Sequence, residues 1–364
     1  MPKIIHAADL HLGSVFAGLP LEKARECRWA SVELADRLAD LALQEKADLV
    51  LLSGDLFDGE QVYPDTLERL KAALARMECP VFIAPGDRDP YTPYSPYALQ
   101  PWPENVCIFR EAELAAATLE ELGCVVYGAA FTAPERTDSP IAGWTAPEDG
   151  MTHLFCLHGD VTGPDSRFGP ITKGQLARSG ADYVALGHIH QYSGLRQEGD
   201  VFWAYPGCPE GHGFHEPGER GVLVGTVEPG KAELEFVPLC SRRYWVLEAD
   251  VTDASPAGAL EAVMPETAKE DICRVVFTGE TGEQGVDLSA LEERFRKRFY
   301  FLELQDRTRL SESLWDKAGE NTLRGLFLRE MREKYDAAED DAAREQVILA
   351  LRYGLAAMDG REMA

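Results

Sequence analysis

The stretch ADYVALGHIHQY, residues 181–192, sets a short apolar run, Tyr183 to Gly187, directly against a His-x-His pair, His188 and His190. A compact run of this kind reads as a buried strand. Two imidazoles flanking one residue are poor turn chemistry and costly to bury without partners, so the pair points toward metal ligation. The same grammar recurs upstream. IIHAA (4–8) leads into Asp9 and His11, and DLVLLS (48–53) into Gly54 and Asp55. VFIAP (81–85) leads into Asp87, Arg88 and Asp89, and HLFCL (153–157) into His158.

Taken singly, a D-x-H or G-D motif says little, because Asp after a strand is ordinarily a turn or helix cap. In an open α/β sheet, however, ligands bind beyond the carboxyl ends of strands, so motifs at successive strand ends can converge. The side chains are Asp and His without a thiolate, which suits manganese, iron or zinc rather than a structural Cys-zinc site. They outnumber the ligands of one tetrahedral ion and suffice for two divalent ions sharing a bridging carboxylate. The chemistry such a pair performs is phosphoester hydrolysis.

Around these runs the chain alternates strands and helices, as an α/β sheet protein does. Residues 21–46 carry a helical stripe through Trp29, Leu34, Leu38 and Leu41, and FWAYPG, GVLVGTV and KAELEFVPL read as strands closing a first domain over 1–240. Residues 241–305 then spell β-α-β-α-β, with Ser255 and Pro256 as a helix N-cap and first turn. Residues 306–364 turn helical, with Leu323, Phe327, Met331 and Tyr335 on one helix and Val347, Leu351, Leu355 and Met358 on the next, before Gly360. The two helices read as a local hairpin packed on its own domain, with a partner-docking surface as the alternative.

The 364 residues hold 62 Asp and Glu against 36 Lys and Arg, a net charge of -26. Such a chain repels nucleic acid at long range, so DNA binding must rest on basic patches, bound metal or a basic partner. Arg242, Arg243, Arg294, Arg296, Lys297 and Arg298 are candidates, although the last four read equally well as a solvated helix face. The 8 cysteines have no C-x-x-C pair and read as buried free thiols of a reducing cytosol. With no signal peptide in MPKIIHAADLH and no long apolar stretch, a soluble cytoplasmic protein without membrane association is expected.

In their order, these motifs resemble the calcineurin-like metallophosphoesterases, which carry D-x-H, G-D, G-N-H-D/E, H and G-H-x-H. The wording ADLHLGSVFAGLP, LLSGDLFD, ALGHIHQY and YPGCPEGHGFHEPGERGV is similar to the DNA-repair exonuclease branch, whose nuclease subunits work with an SMC-like ATPase. The resemblance implies a β-sandwich flanked by helices, with a small α/β capping module and a C-terminal helical tail. It places Asp9, His11 and His190 on one ion, Asp87, His158 and His188 on the other, and Asp55 as the bridge. It further implies two divalent ions, manganese foremost, DNA as substrate, and a tail that docks on the ATPase coiled coil, often within a homodimer.

The sequence departs from that pattern at 87 and 88. Asp87 replaces an Asn and remains an oxygen ligand, with one more negative charge. Arg88 replaces a His and cannot act as a general acid, because its pKa stays above about 12. It does offer a permanent positive charge and a planar fork for phosphate oxygens. Three roles stay open for it: a phosphate contact, a salt bridge to Asp87 or Asp89, or a mark of a weak site kept for metal or DNA binding. His212 and His215, in GHGFHEPGER, are candidate replacement acids, whereas His6 and His153 lie inside strands. The reading is a metal-dependent DNA exonuclease or endonuclease. The alternatives are a phosphatase or phosphodiesterase for a non-DNA substrate, and a metal-binding scaffold subunit.

Overall fold

The strands that carry the candidate ligands are buried on both faces, which is why they read as unbroken apolar runs rather than alternating ones. In the computed structural model, residues 1–360 are described except 162, 164 and 284, and residue 341 by its backbone alone. They divide into two compact units, Met1–Arg243 and Tyr244–Ala364.

Along the first unit the strands are β1 (Lys3–Ala7), β2 (Leu49–Leu52), β3 (Val81–Ile83), β4 (Val106–Ile108), β5 (Ala115–Leu119) and β6 (Cys124–Gly128). They continue as β7 (Thr152–His158), β8 (Tyr183–Gly187), β9 (Arg196–Glu198), β10 (Val201–Ala204), β11 (Gly221–Glu228) and β12 (Lys231–Pro238). Two six-stranded sheets result, ordered β12-β11-β1-β2-β3-β4 and β5-β6-β7-β8-β10-β9. Pairing from β1 through β4 is parallel, as is pairing from β6 through β8 to β10. Parallel strands send their carboxyl ends the same way, which gathers the post-strand loops at one end of each sheet.

Period-two alternation sorts each strand between layers. Ile4, Leu49 and Leu51 pack between the sheets with Leu154, Cys156 and Tyr183, while Ile5, Val50 and Leu52 face the helices with Leu34, Leu38 and Leu70. Those helices are α1 (Leu21–Glu45) and α2 (Pro64–Arg76). The outer face of the second sheet is covered with Phe155, Val184, Leu176 and Trp203. Two short helices, α3 (Pro96–Leu99) and α4 (Lys173–Arg178), complete the unit; a reciprocal Thr172–Gln175 capping box opens the second. The architecture is the expected α/β sandwich flanked by helices.

Trp29 departs from the expected stripe and is 54% exposed. At 3.6 residues per turn it stands about 140° around α1 from Leu34, off the buried face. β4, β5, β6 and β9 were not among the strands expected from sequence. β5, AAATL, and β9, RQE, carry too little apolar character to announce themselves, and both sit at sheet edges.

In the second unit β13 (Tyr244–Asp250), α5 (Pro256–Val263), β14 (Ile272–Thr278), β15 (Glu280–Thr281), α6 (Leu288–Phe295), β16 (Phe301–Asp306) and β17 (Arg309–Leu310) follow in order. β13, β14 and β16 form a parallel sheet over a core of Leu260, Phe277, Phe295 and Leu302. Ser255 Oγ accepts from Gly258 N at 3.1 Å, as its N-cap reading requires. The chain then enters α7 (Glu312–Asp316), α8 (Leu323–Asp336) and α9 (Asp341–Met358). α7, α8 and α9 share a core of Leu314, Trp315, Leu328, Met331, Leu351 and Leu355. Leu323 and Met358, expected on the apolar stripes, are 73% and 40% exposed. A strict every-fourth-residue row drifts by about 40° per step, so its ends swing off a flat contact.

Candidate metal centre

The loops after β1 and β2 are zipped together by backbone bonds. Asp9 N donates to Gly54 O (2.9 Å), His11 N to Asp55 O (3.0 Å) and Leu12 N to Leu56 O (2.9 Å). This pairing holds Asp9, His11 and Asp55 at fixed places beyond the strand ends. It also demands unusual backbone: Asp9, His11, Asp55 and His188 all have positive φ (54°, 43°, 51° and 106°), with Lys46 the remaining non-glycine case among the described residues. Side-chain-bearing residues rarely occupy this region, and such strain concentrates at functional sites.

Close packing fixes the glycines of the motifs. A Cβ on Gly54 would lie 2.4 Å from His158 Nδ1, and one on Gly86 would lie 2.1 Å from Asp55 Oδ1. Only glycine lets these loops approach so closely.

Convergence is dense. Ligand atoms of Asp9, His11 and His190 lie within 4.8 Å of one another, as do those of Asp87, His158 and His188. Asp55 stands between the two trios: its Oδ2 is 4.0 Å from His11 Nε2 and 3.7 Å from His158 Nε2. Asp9, His11 and Asp55 come from the first sheet with Asp87, and the three other histidines from the second, so the centre sits across the ends of both sheets. Asp87 Oδ1 lies 2.8 Å from His158 Nε2 and 3.1 Å from His188 Nδ1.

Two carboxylates absent from the sequence reading complete the centre. Asp58 Oδ1 meets His11 Nδ1 at 2.6 Å, and Glu216 Oε1 meets His190 Nδ1 at 2.5 Å. With each outer nitrogen donating to a carboxylate, the inner Nε2 atoms carry lone pairs, and these face one another 3.2 Å apart. The signals for them were faint: an Asp three residues after the G-D motif, and a Glu beside His215. Cys208, buried below, lies within reach of His190 and Glu216. Burial and the charge of Glu216 push its thiol well above the usual range.

The electrostatics call for positive charge. Burial and the charges of Asp89, Asp87 and Asp9 raise the Asp55 carboxyl well above the usual range despite the opposing pull of His158. Burial opposes charge on His158, yet Asp55 and Asp87 lift it to about 10. For Asp87, burial is outweighed by the hydrogen bonds of His158 and His188, which hold it low. Asp58 likewise falls to about 2, its partial burial overcome by the bond from His11. Clustered carboxylates, inward-facing imidazole lone pairs and the absence of a thiol from either trio fit a pair of hard or borderline divalent cations.

Positions 88 and 89 differ in kind. Arg88 N donates to Asp55 Oδ1 (2.9 Å), a backbone contact that any residue but proline supplies. Its side chain is 67% exposed, with Nε 3.7 Å from Asp87 Oδ2. Asp89 is no partner for it, contrary to one of the sequence-based alternatives. The Asp89 carboxylate is fully buried and accepts from the amides of Asp55, Leu56, Phe57 and Gly86 and from Tyr97 Oη. His212 packs edge-on against His11, with ring centroids 5.6 Å apart, whereas the His215 side chain is 76% exposed. His6 and His153 are buried in strands away from the trios, on Tyr183 and Tyr127 respectively.

A sandwich of two mixed sheets with Asp and His gathered beyond their strand ends defines a metallophosphoesterase. The chain belongs to the calcineurin-like phosphoesterase family, matched over residues 2–192. It is similar to the uncharacterized metallophosphoesterase YhaO of Bacillus subtilis, 31% identical over 72% of this chain and 66% of that protein. It is also similar to the DNA double-strand break repair protein Mre11 of Aeropyrum pernix, 25% identical over 70% of this chain and 64% of that one. Mre11 of Saccharolobus solfataricus is 28% identical over 62% of this chain and 60% of that protein. The chain thus spans somewhat less than two thirds of the length of the curated relatives it matches.

Proposed function

We propose that the protein is a metal-dependent DNA nuclease of DNA repair, cutting phosphodiester bonds as an exonuclease or endonuclease. Asp9, His11 and His190 would hold one divalent ion, Asp87, His158 and His188 a second, and Asp55 both. The observation that carries this reading is the position of Asp55 Oδ2 between His11 and His158. Two such ions supply hydroxide near neutral pH and offset charge on the phosphate oxygens. The family supports the divalent-metal chemistry; manganese is the ion we favour, since it accepts this mixed oxygen and imidazole donor set.

The chain's own residues do the positioning. Asp58 and Glu216 fix the tautomer and orientation of His11 and His190. Arg88, exposed beside Asp87, presents its guanidinium to a phosphate oxygen. His212, against His11, is the preferred donor of the leaving-group proton, ahead of the solvent-facing His215.

DNA as substrate is supported by likeness to proteins named for double-strand break repair. We further propose that residues 241–305 act as a capping module that helps select DNA. The α8–α9 hairpin would dock an SMC-like ATPase, with Leu323, Leu326, Leu349 and Tyr353 exposed on it, and the subunit would act as a homodimer. The cysteines form no disulfide among the described residues, which suits a cytoplasmic setting, and no described helix is long and apolar enough to cross a membrane. The net charge of -26 favours the rival reading, hydrolysis of a non-DNA phosphoester.

Incubation of the full chain with manganese and labelled single-stranded or duplex DNA tests the proposal. Cleavage by the wild type that is lost in His188→Ala is expected. Wild type inert on DNA while Arg88→His cuts it would replace the nuclease reading with a scaffold role. Turnover of a generic monoester alone would favour the phosphatase.

A further inference from the structure

The two trios differ in what stands behind them. In the first, both imidazoles are backed by carboxylates, Asp58 on His11 and Glu216 on His190. In the second, His158 Nδ1 lies 2.9 Å from the neutral Ser53 carbonyl, and the only carboxylate of the trio, Asp87, has the Arg88 guanidinium 3.7 Å away. Asp55 is common to both and does not discriminate between them.

We infer that the trios load unequally: the Asp9–His11–His190 trio takes its ion first and more tightly, with Glu216 as the positioning residue that sets the difference and Arg88 holding the second trio weaker. This inference rests on the two-ion reading above. Each trio holds one carboxylate, Asp9 or Asp87; the first has two more, Asp58 and Glu216, behind its imidazoles, whereas the carboxylate of the second is partnered by a guanidinium. A divalent ion feels that contrast directly, since the attraction is Coulombic and Asp9 and Glu216 are buried. A carboxylate behind an imidazole also makes it more basic and pins its orientation, typically worth 10–100-fold in metal affinity.

The two backing carboxylates are not equivalent. The Glu216 side chain is 4% exposed, and its Oε2 is also fixed by the His212 amide at 2.7 Å. The Asp58 side chain is 52% exposed and so screened by solvent. Glu216 therefore carries more of the difference. Arg88, 67% exposed, is screened as well, so its effect on the second trio is a few-fold.

The test is a titration of the metal-stripped full chain with manganese chloride, followed by calorimetry and by the electron paramagnetic resonance signal of free manganese. Two steps of different affinity are expected, the tight one lost in His190→Ala and the loose one in His158→Ala. Glu216→Gln weakens the tight step about 10–100-fold and spares the loose one, whereas Arg88→Gln tightens the loose step a few-fold. Circular dichroism confirms that each variant is folded; the Arg88 variant, altered at an exposed side chain, keeps the test decisive if a buried change unfolds the chain. Two equal steps, loss of the tight step in His158→Ala, or a loose step indifferent to Arg88→Gln overturns the inference. Equal steps with DNA cleavage intact sink the inference alone, whereas no manganese binding at all sinks the metal-dependent reading with it.

Discussion

Tyr97 Oη donates to Asp89 Oδ2 at 2.5 Å, and both groups are buried. Through this bond a short helix beyond the β3 loop holds the carboxylate that organises the ligand loops. Asp89 Oδ1 takes the amides of Gly86 and Asp55, while Oδ2 takes those of Leu56 and Phe57. Removing the carboxylate strands these buried donors at once. Asp89→Ala is predicted to cost on the order of 4 kcal/mol, and Tyr97→Phe about 1.5–3 kcal/mol, in urea unfolding. An Asp89→Ala chain as stable as wild type would show that the loops hold themselves.

Gly86→Ala tests the centre without replacing any candidate ligand. The new methyl would overlap Asp55 Oδ1, at 2.1 Å, and must displace the carboxylate that stands between the trios. Manganese affinity is predicted to fall at least about tenfold, in the range of disturbances to groups that orient ligands. Unchanged affinity by calorimetry would mean that Asp55 does not hold the metal.

His6 makes stability depend on pH. Burial between the sheets lowers its pKa from 6.5 to about 3, against a smaller opposing pull from a backbone bond at Leu186. From pH 6.5 down to 3 the unfolded chain binds a proton that the folded chain refuses, so stability falls as pH falls. Between pH 7 and 5 this amounts to about 2 kcal/mol. His6→Phe should lose that increment of acid sensitivity while costing about 1–3 kcal/mol at pH 7, because it strands Tyr183 Oη. Parallel pH dependences for the two chains would refute the assignment.

Arg352 ties the last helix to the second unit's sheets. Its Nη1 donates to Asp306 at 3.1 Å and its Nη2 to Thr281 (3.0 Å) and Thr308 (3.2 Å), with only 12% of the side chain exposed. Arg352→Ala leaves Asp306 without its cation and is predicted to cost about 2–4 kcal/mol. Amide exchange should quicken in α9 and β17 while β1 and β2 stay protected; equal exchange everywhere would contradict a local tie.

The family and the convergence of the candidate ligands were legible because they depend on local grammar: an apolar strand, then a chelating side chain. Asp9, Asp55, Asp87 and His188 each follow a strand end and His158 closes β7, and a strand end is visible as the place where an apolar run stops. Which motifs share a trio cannot be read that way. It depends on β7 and β8 lying in a different sheet from β1, β2 and β3, and sheet membership is set by strand pairing far apart in sequence.

The groups behind the ligands were less visible still. Little in the sequence marks Asp58 or Glu216, because a hydrogen bond to an imidazole from a distant loop leaves no pattern there. The pair at 87 and 88 shows the same division. Residue chemistry alone fixed that Asp87 can bind a cation and that Arg88 cannot give up a proton. Only the folded chain decided that Arg88 holds Asp55 through its amide, and that its guanidinium stands at the solvent edge beside Asp87. Bonding capacity belongs to a residue type, whereas direction and exposure belong to the backbone that carries it.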